Sequence, residues 1–275
     1  MNISLKNIGK TGETSVELNG ITVIAGENNT GKSMIGKALY AVLDTLNGKD
    51  IEIEMNCNGT DHLMRWATTN KNIIYIDNPF IIDELSNCEY SINPNLEGHK
   101  KNLLKFLAQR QDEPATAKVM QIISVVNQVC DGSLVKTGDS YSYSSPKLQK
   151  PMELSGISTG LKTFLILKTL LTNGAVEEGG ILILDNPEAH LHPNWQLVLA
   201  ELVVLFQKEL SVYILANTYS PYFLRAIEVY SARYGIEERC KYYLSEARDE
   251  QFCISDVTDS IDKIYETFYL PLEIL

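Results

Sequence analysis

Residues 26–33 read G-E-N-N-T-G-K-S and constrain the chain more than any other stretch, because they fit the pattern G-x-x-x-x-G-K-[ST]. In that pattern a glycine-rich turn aims consecutive backbone N–H groups at a phosphate, and the helix that follows presents its positive dipole end. Gly26, Asn28, Asn29, Thr30 and Gly31 would form the cradle. Lys32 would reach the β and γ oxygens as a point charge, and the Ser33 hydroxyl is placed to ligate Mg²⁺. The flanks supply the required setting. Residues 21–25 (I-T-V-I-A) form the apolar, β-branched run of a buried parallel strand. Ile35, Leu39, Val42, Leu43 and Leu46 then recur at helical spacing until Asn47-Gly48 supplies a stop. From average residue frequencies, a chance match in a chain this long is on the order of one in a hundred. The loop predicts nucleoside triphosphate binding where a strand meets a helix in an α/β fold.

A second carboxyl-end feature supports this. Residues 181–184 (I-L-I-L) read as a buried strand that delivers Asp185 to the sheet edge where α/β folds place ligands. There Asp185 could hold Mg²⁺ opposite Ser33. Residues 212–216 form another such strand, ending in N-T-Y-S-P. Ahead of them, L-S-G-I-S-T-G (154–160) opens a helix that Ser158 or Thr159 can cap, leaving N–H groups for an anion. On these residues alone, an ordinary capped core helix is the better reading.

The remaining pattern predicts strands at 3–8 and 14–18 with a turn at 9–12, an edge strand at 50–55 and a strand at 73–76. Leu103, Leu104 and Leu107 mark one helix, and Val119, Ile122, Ile123 and Val126 a second. A hairpin at 135–144, helices at 195–210, 222–233 and 261–268, and a late hairpin at 242–254 complete it. His99, Lys100, Lys101, Lys105 and Arg110 read as a solvated basic face of the first of these helices. His190 and His192 stand close to Asp185 and Glu188, but no third ligand of zinc type follows at fixed spacing, which argues against a transition-metal site.

With 44% hydrophobic and 21% charged residues, the 275-residue chain reads as one globular domain spanning 1–275. Residues 49–153 form an inserted, largely helical lobe between the phosphate loop and residues 154–160. A net charge of −11 opposes nucleic-acid binding, which needs clustered cations, and favours a protein partner. Five cysteines without a C-x-x-C pair suit reduced thiols in a cytoplasmic protein. No apolar run reaches membrane-spanning length, and the N-terminus lacks a signal-peptide core.

Taken in order, G-E-N-N-T-G-K-S, I-S-T-G-L (157–161), L-D-N-P-E-A-H-L-H-P (184–193) and N-T-Y-S-P-Y-F-L (217–224) resemble the motifs of soluble ABC-type P-loop ATPases. The branch is that of the chromosome-maintenance, RecF and OLD-like proteins. The resemblance implies an α/β fold with a mixed sheet, a parallel core flanked by helices, antiparallel strands at the N-terminus and a helical insertion. It implies ATP and Mg²⁺, the metal held by Ser33 and Asp185. It also implies a homodimer in which Ser158 and Gly160 of one copy contact the γ-phosphate bound on Lys32 of the other. Two catalytic positions depart from the family. The glutamate that usually polarises water is Asn186, and the γ-phosphate-sensing histidine is Tyr219. Asn orients water but takes no proton at neutral pH, and Tyr does not become cationic. Glu188, two residues on, would share a side with Asn186 on extended backbone and could substitute as base. The expectation is an ATPase with slow hydrolysis. The alternative is a hydrolysis-deficient, ATP-gated switch that recruits or restrains a partner protein, in the manner of defence or toxin–antitoxin components.

Overall fold

The computed structural model describes residues 2–5, 14–46, 52–57, 60–65, 71–87, 96–109, 115–138, 140–248 and 251–273. Strand β1 (Asn2–Leu5) pairs antiparallel with β2 (Thr14–Glu17); the turn expected at 9–12 lies outside the described residues. Strand β3 (Ile21–Gly26) leads through the phosphate loop into α1 (Lys32–Leu46). Then come β4 (Glu52–Cys57), β5 (Thr60–Arg65), β6 (Ile73–Ile76), a 3-10 segment (Pro79–Asn87), α2 (Gly98–Ala108) and α3 (Ala117–Val126). Strands β7 (Ser133–Thr137), β8 (Ser140–Ser144) and β9 (Met152–Glu153) precede α4 (Thr159–Thr172). The chain continues through β10 (Ile181–Asp185), α5 (Pro193–Leu210), β11 (Tyr213–Thr218) and α6 (Pro221–Tyr234). It finishes with β12 (Cys240–Arg248), β13 (Gln251–Asp256) and α7 (Asp262–Glu273).

The main sheet runs β13-β12-β3-β11-β10-β6. The five strands from β12 to β6 are parallel, and β13 closes one edge antiparallel to β12. Near-continuous apolar runs build this core because both faces are covered. Period-2 alternation then assigns each side chain to a face. Ile74, Ile76, Leu182, Leu184, Ile214 and Ala216 pack with α4, α5 and α6. Ile73, Tyr75, Ile181, Ile183 and Leu215 pack with Ile35, Leu39 and Leu43 of α1. The order places β11 between the phosphate-loop strand β3 and the Asp185 strand β10.

Residues 49–153 hold more strand than the helical periodicity around 100–126 predicts. Besides α2 and α3 they carry the β4–β5 ribbon and the β7-β8-β9 sheet, and β6 hydrogen-bonds into the main sheet. Strand β5 reads T-D-H-L-M-R, without the apolar alternation that betrays a half-buried strand. Among the described residues, no helix is long and apolar enough to cross a membrane, and Cys130, Cys240 and Cys253 are free thiols.

Candidate functional site

Strand register brings the carboxyl-end residues together. Asp185 is paired with Asn217 across β10 and β11, on the parity that faces α1. There the Ser33 hydroxyl donates to Asp185 Oδ1 at 3.0 Å, joining positions 152 residues apart. Asn217 Nδ2 donates to the same oxygen at 3.0 Å and to the Lys32 carbonyl at 3.1 Å. The Tyr75 hydroxyl reaches up from β6 and donates to Asp185 Oδ2 at 3.2 Å. Gly36 lets α1 sit this close. A Cβ there would stand 3.2 Å from Ile183 Cγ2 and 3.6 Å from both the Asn217 amide nitrogen and the Tyr75 hydroxyl.

The phosphate loop takes the shape its residues favour. Asn29 and Gly31 have positive φ (60° and 89°), which Asn tolerates and Gly adopts freely. Gly26, at φ 150°, runs against β12 so tightly that a Cβ would fall 2.1 Å from the Ser245 carbonyl oxygen. Ser245 Oγ also donates to the Thr30 carbonyl at 2.8 Å, pinning the loop from below. Thr30 is buried, while Asn28 and Asn29 are exposed. Lys32 is 5% exposed, and its ammonium donates to the Gly26 and Glu27 carbonyls and to Thr30 Oγ1. Among the described residues no carboxylate lies within ion-pair distance of it. Burial lowers its pKa against the attraction of Asp185, Glu188 and Glu27. A buried cation held only by neutral oxygens is a poor resting arrangement and a good anion site. The donor set suits Mg²⁺ as well: Ser33 and Asp185 offer the hard oxygens that ion takes.

The residues after Asp185 behave differently from the extended run that the sequence suggests. Asn186 has φ 49°, and the bonds from Ala189 N to Asn186 O and from Leu191 N to Glu188 O fold the segment into successive turns. The parity argument that would put Glu188 beside Asn186 therefore fails. Glu188 is 2% exposed, accepting from Thr218 Oγ1 and the Tyr219 amide, and its second oxygen has no partner. Burial pushes its carboxyl up to about 7; the Thr218 and Tyr219 hydrogen bonds oppose the shift and the charge of Asp185 adds to it.

This raised value has a consequence for stability. The unfolded carboxyl titrates near 4.5, so between about pH 4.5 and 7 the folded protein holds a proton that the unfolded chain releases. Stability then falls as pH rises through that window, by an amount on the order of 3 kcal/mol. Urea titrations at pH 5, 6, 7 and 8 should show a steeper loss for the native chain than for Glu188→Gln, which keeps an acceptor for Thr218 but does not titrate. Parallel slopes would show that Glu188 is ionised alike in both states.

A cleft of about 320 Å³ opens beside Asp185, lined among others by Asp77, Asn78, Phe80, Asn186, His190 and Tyr219. Glu188 is not part of its lining. The Asn186 amide nitrogen donates to Asp185 Oδ1 at 3.3 Å, while its amide oxygen is buried without a partner. Tyr219 is 39% exposed and its hydroxyl is held protonated by burial and by Glu188.

Ser158 caps α4 by accepting from Leu161 N at 3.4 Å. Gly160 is buried, and a Cβ there would meet Leu191, the His190 carbonyl and Trp195 at 3.0–3.2 Å, so α4 packs directly on the turns after Asp185. Among the described residues no hydrogen bond or ion pair joins Ser158 or Gly160 to the phosphate loop of the same chain. His192 is the N-cap of α5, accepting from the Asn194 amide, which gives it a structural task.

His99 corrects the reading of α2 as a solvated basic face. It is 7% exposed, stacks on Tyr75 with ring centroids 4.6 Å apart, and lies 3.1 Å from Asp77 Oδ2. Lys100 is 3.2 Å from Glu97 and 3.6 Å from Asp77. Arg110 lies outside the described residues. The inserted segment thereby touches the site through Asp77 and Tyr75. Tyr75 and Asn217 have a retrospective signal: each is a polar group at the site-facing end of an otherwise apolar strand.

Comparison with known proteins places this geometry. The model of a family described as "AAA domain, putative AbiEii toxin, Type IV TA system" matches residues 65–225, more than half of the chain, starting after the phosphate loop. No match was found among curated protein sequences. Among solved structures, an Smc head bound to the C-terminal winged-helix domain of ScpA superposes with a TM-score of 0.56 at 13% identity, covering 94% of this chain and 98% of that one. The Smc head with an extended coiled coil from Pyrococcus furiosus, bound to the C-terminal domain of ScpA, gives 0.53 at 14% identity, covering 97% and 99%. The SMC head domain from Thermotoga maritima gives 0.51 at 14%, covering 93% and 98%. The chain belongs to this AAA-domain family, and its fold is that of the ABC-type P-loop ATPase domains.

Proposed function

We propose that this protein binds Mg·ATP at the phosphate loop and closes into a homodimer around it, with slow hydrolysis reopening the pair. The observation that carries this is the Ser33–Asp185 hydrogen bond at 3.0 Å beside a buried Lys32 that has no carboxylate within ion-pair distance among the described residues. Gly26, Asn28, Asn29, Thr30 and Gly31 would cradle the phosphates, with Lys32 on the β and γ oxygens. Mg²⁺, held by Ser33 and Asp185, would neutralise charge on those same oxygens. Ser158 and Gly160 of a second copy would cover the γ-phosphate; the exposed Ser158 at the N-terminus of α4 supports that role, while Gly160 lies buried behind it. Light scattering on the sized protein with and without Mg·ATP tests the assembly. Doubling of mass with nucleotide is expected, and an unchanged monomer at saturating Mg·ATP would contradict it.

A second reading is favoured by Asn186, Tyr219 and the withdrawn Glu188. With no carboxylate at the water position, ATP would hold the dimer closed and the closed form would recruit or restrain a partner protein. The family description supports a toxin–antitoxin setting, and two of the Smc heads above were solved with a ScpA domain bound. The acidic net charge of −11 fits a protein partner better than a nucleic acid.

A further inference from the structure

The cleft beside Asp185 narrows the question of which group takes the proton of an attacking water. Asn186 has no basic atom; its amide oxygen is buried without a partner, and a turn of the side chain toward the cleft it lines would let that oxygen accept from a water and orient it. Tyr219 carries a phenol whose proton is held more firmly than usual. Glu188 is turned into the α5 and α6 side of the sheet, bound to Thr218, outside the cleft lining. Asp185 accepts from Ser33, Asn186 and Asn217 on one oxygen and from Tyr75 on the other. Burial works against the charged form of Asp77, but its hydrogen bond to His99 and the charges of His99 and Lys100 outweigh it and hold that carboxyl below the ordinary range, a weak base.

His190 differs from all of these. It lines the same cleft, its ring packs edge-on to Phe80 with centroids 6.1 Å apart, and among the described residues it has no hydrogen-bonding or ionic partner. Its backbone is fixed, because Leu191 bonds to Glu188 and Gly160 brings α4 against the His190 carbonyl. The titratable groups around it are Asp77, Asp185 and Tyr219 in the cleft, Glu188 on its own turn, and Lys162, whose ammonium lies 4.9 Å from the Phe80 ring centre.

We infer that His190 is the general base for ATP hydrolysis in this protein, working with Asn186, which orients the water. The water oxygen bonds to the γ-phosphorus as the bond from that phosphorus to the bridging oxygen breaks. ADP leaves with the electron pair of that bond, and the water's proton passes to an unprotonated ring nitrogen of His190 and then to solvent. The inference rests on the proposed ATP binding and goes beyond it by moving the base from position 186 to position 190.

The test is steady-state phosphate release, with ATP affinity measured in parallel, for the native chain and His190→Gln. His190 itself is exposed, so the variant keeps the fold. Expected is a fall in kcat of about a hundredfold, with ATP affinity unchanged. In an Asn186→Glu background the same substitution should cost less than about threefold, since the new carboxylate takes the proton. A His190→Gln variant that keeps its rate overturns the inference. So does a native chain that binds ATP tightly and releases no phosphate, a result that leaves the binding reading intact. A chain that binds no ATP overturns both.

Discussion

Lys32→Ala is expected to raise the Kd for Mg·ATP by about a hundredfold or more, and to remove phosphate release with it. The native ammonium is buried, lies among the Gly26 and Glu27 carbonyls and Thr30, and among the described residues has no carboxylate within ion-pair distance. A polyphosphate would supply the missing negative charge in a partly desolvated setting. Removing one partner of a buried, hydrogen-bonded charge pair costs about 3–5 kcal/mol, and a hundredfold in Kd is about 2.7 kcal/mol. The loop is also held by Ser245 through the Thr30 carbonyl, independently of Lys32, so near-UV circular dichroism should be unchanged. Equal affinity in a folded variant would mean that the nucleotide binds elsewhere.

Asn186→Glu is expected to raise turnover by about tenfold, less than the full contribution of a positioned general base, because the carboxylate takes over a proton that His190 already accepts. The position is right for it, since Asn186 lines the cleft beside Asp185. It carries a cost. Asn186 sits at φ 49°, a left-handed conformation that Asn accepts and Glu resists by about 1–2 kcal/mol. The variant should therefore melt somewhat lower while hydrolysing faster, with phosphate release and thermal denaturation read on one preparation. No gain in rate from a folded variant would show that position 186 is not where the proton is lost.

The parts of the site that depend on short local patterns were legible in the residues. The phosphate loop, its strand and its helix follow from G-E-N-N-T-G-K-S and its apolar flanks, and the I-L-I-L run identifies the buried strand that ends in Asp185. Those two features predict the Ser33–Asp185 pairing across the sheet without any knowledge of strand order. What depends on neighbours was not legible. The placement of Tyr75 under Asp185 needs β6 beside β10, and that of Asn217 needs β11 between β10 and β3. Glu188 depends on the left-handed turn at Asn186, which no spacing rule announces and which sends the carboxylate behind the sheet. His99 reads as one of several polar positions on α2 until the Tyr40 and Tyr75 rings enclose it and Asp77 meets it. Strand β4 overlaps the edge strand expected at 50–55, whereas β5 and β9 are weakly patterned or short, so period alone does not separate those two from loop.

Isothermal calorimetry of the folded chain with ATP, in the presence and absence of Mg²⁺, addresses the central claim most directly. Saturable heat is predicted with about one nucleotide per chain, weakened by removing Mg²⁺ and lost in Lys32→Ala. No heat from the native, folded protein with Mg²⁺ and any purine triphosphate would contradict the account at its root.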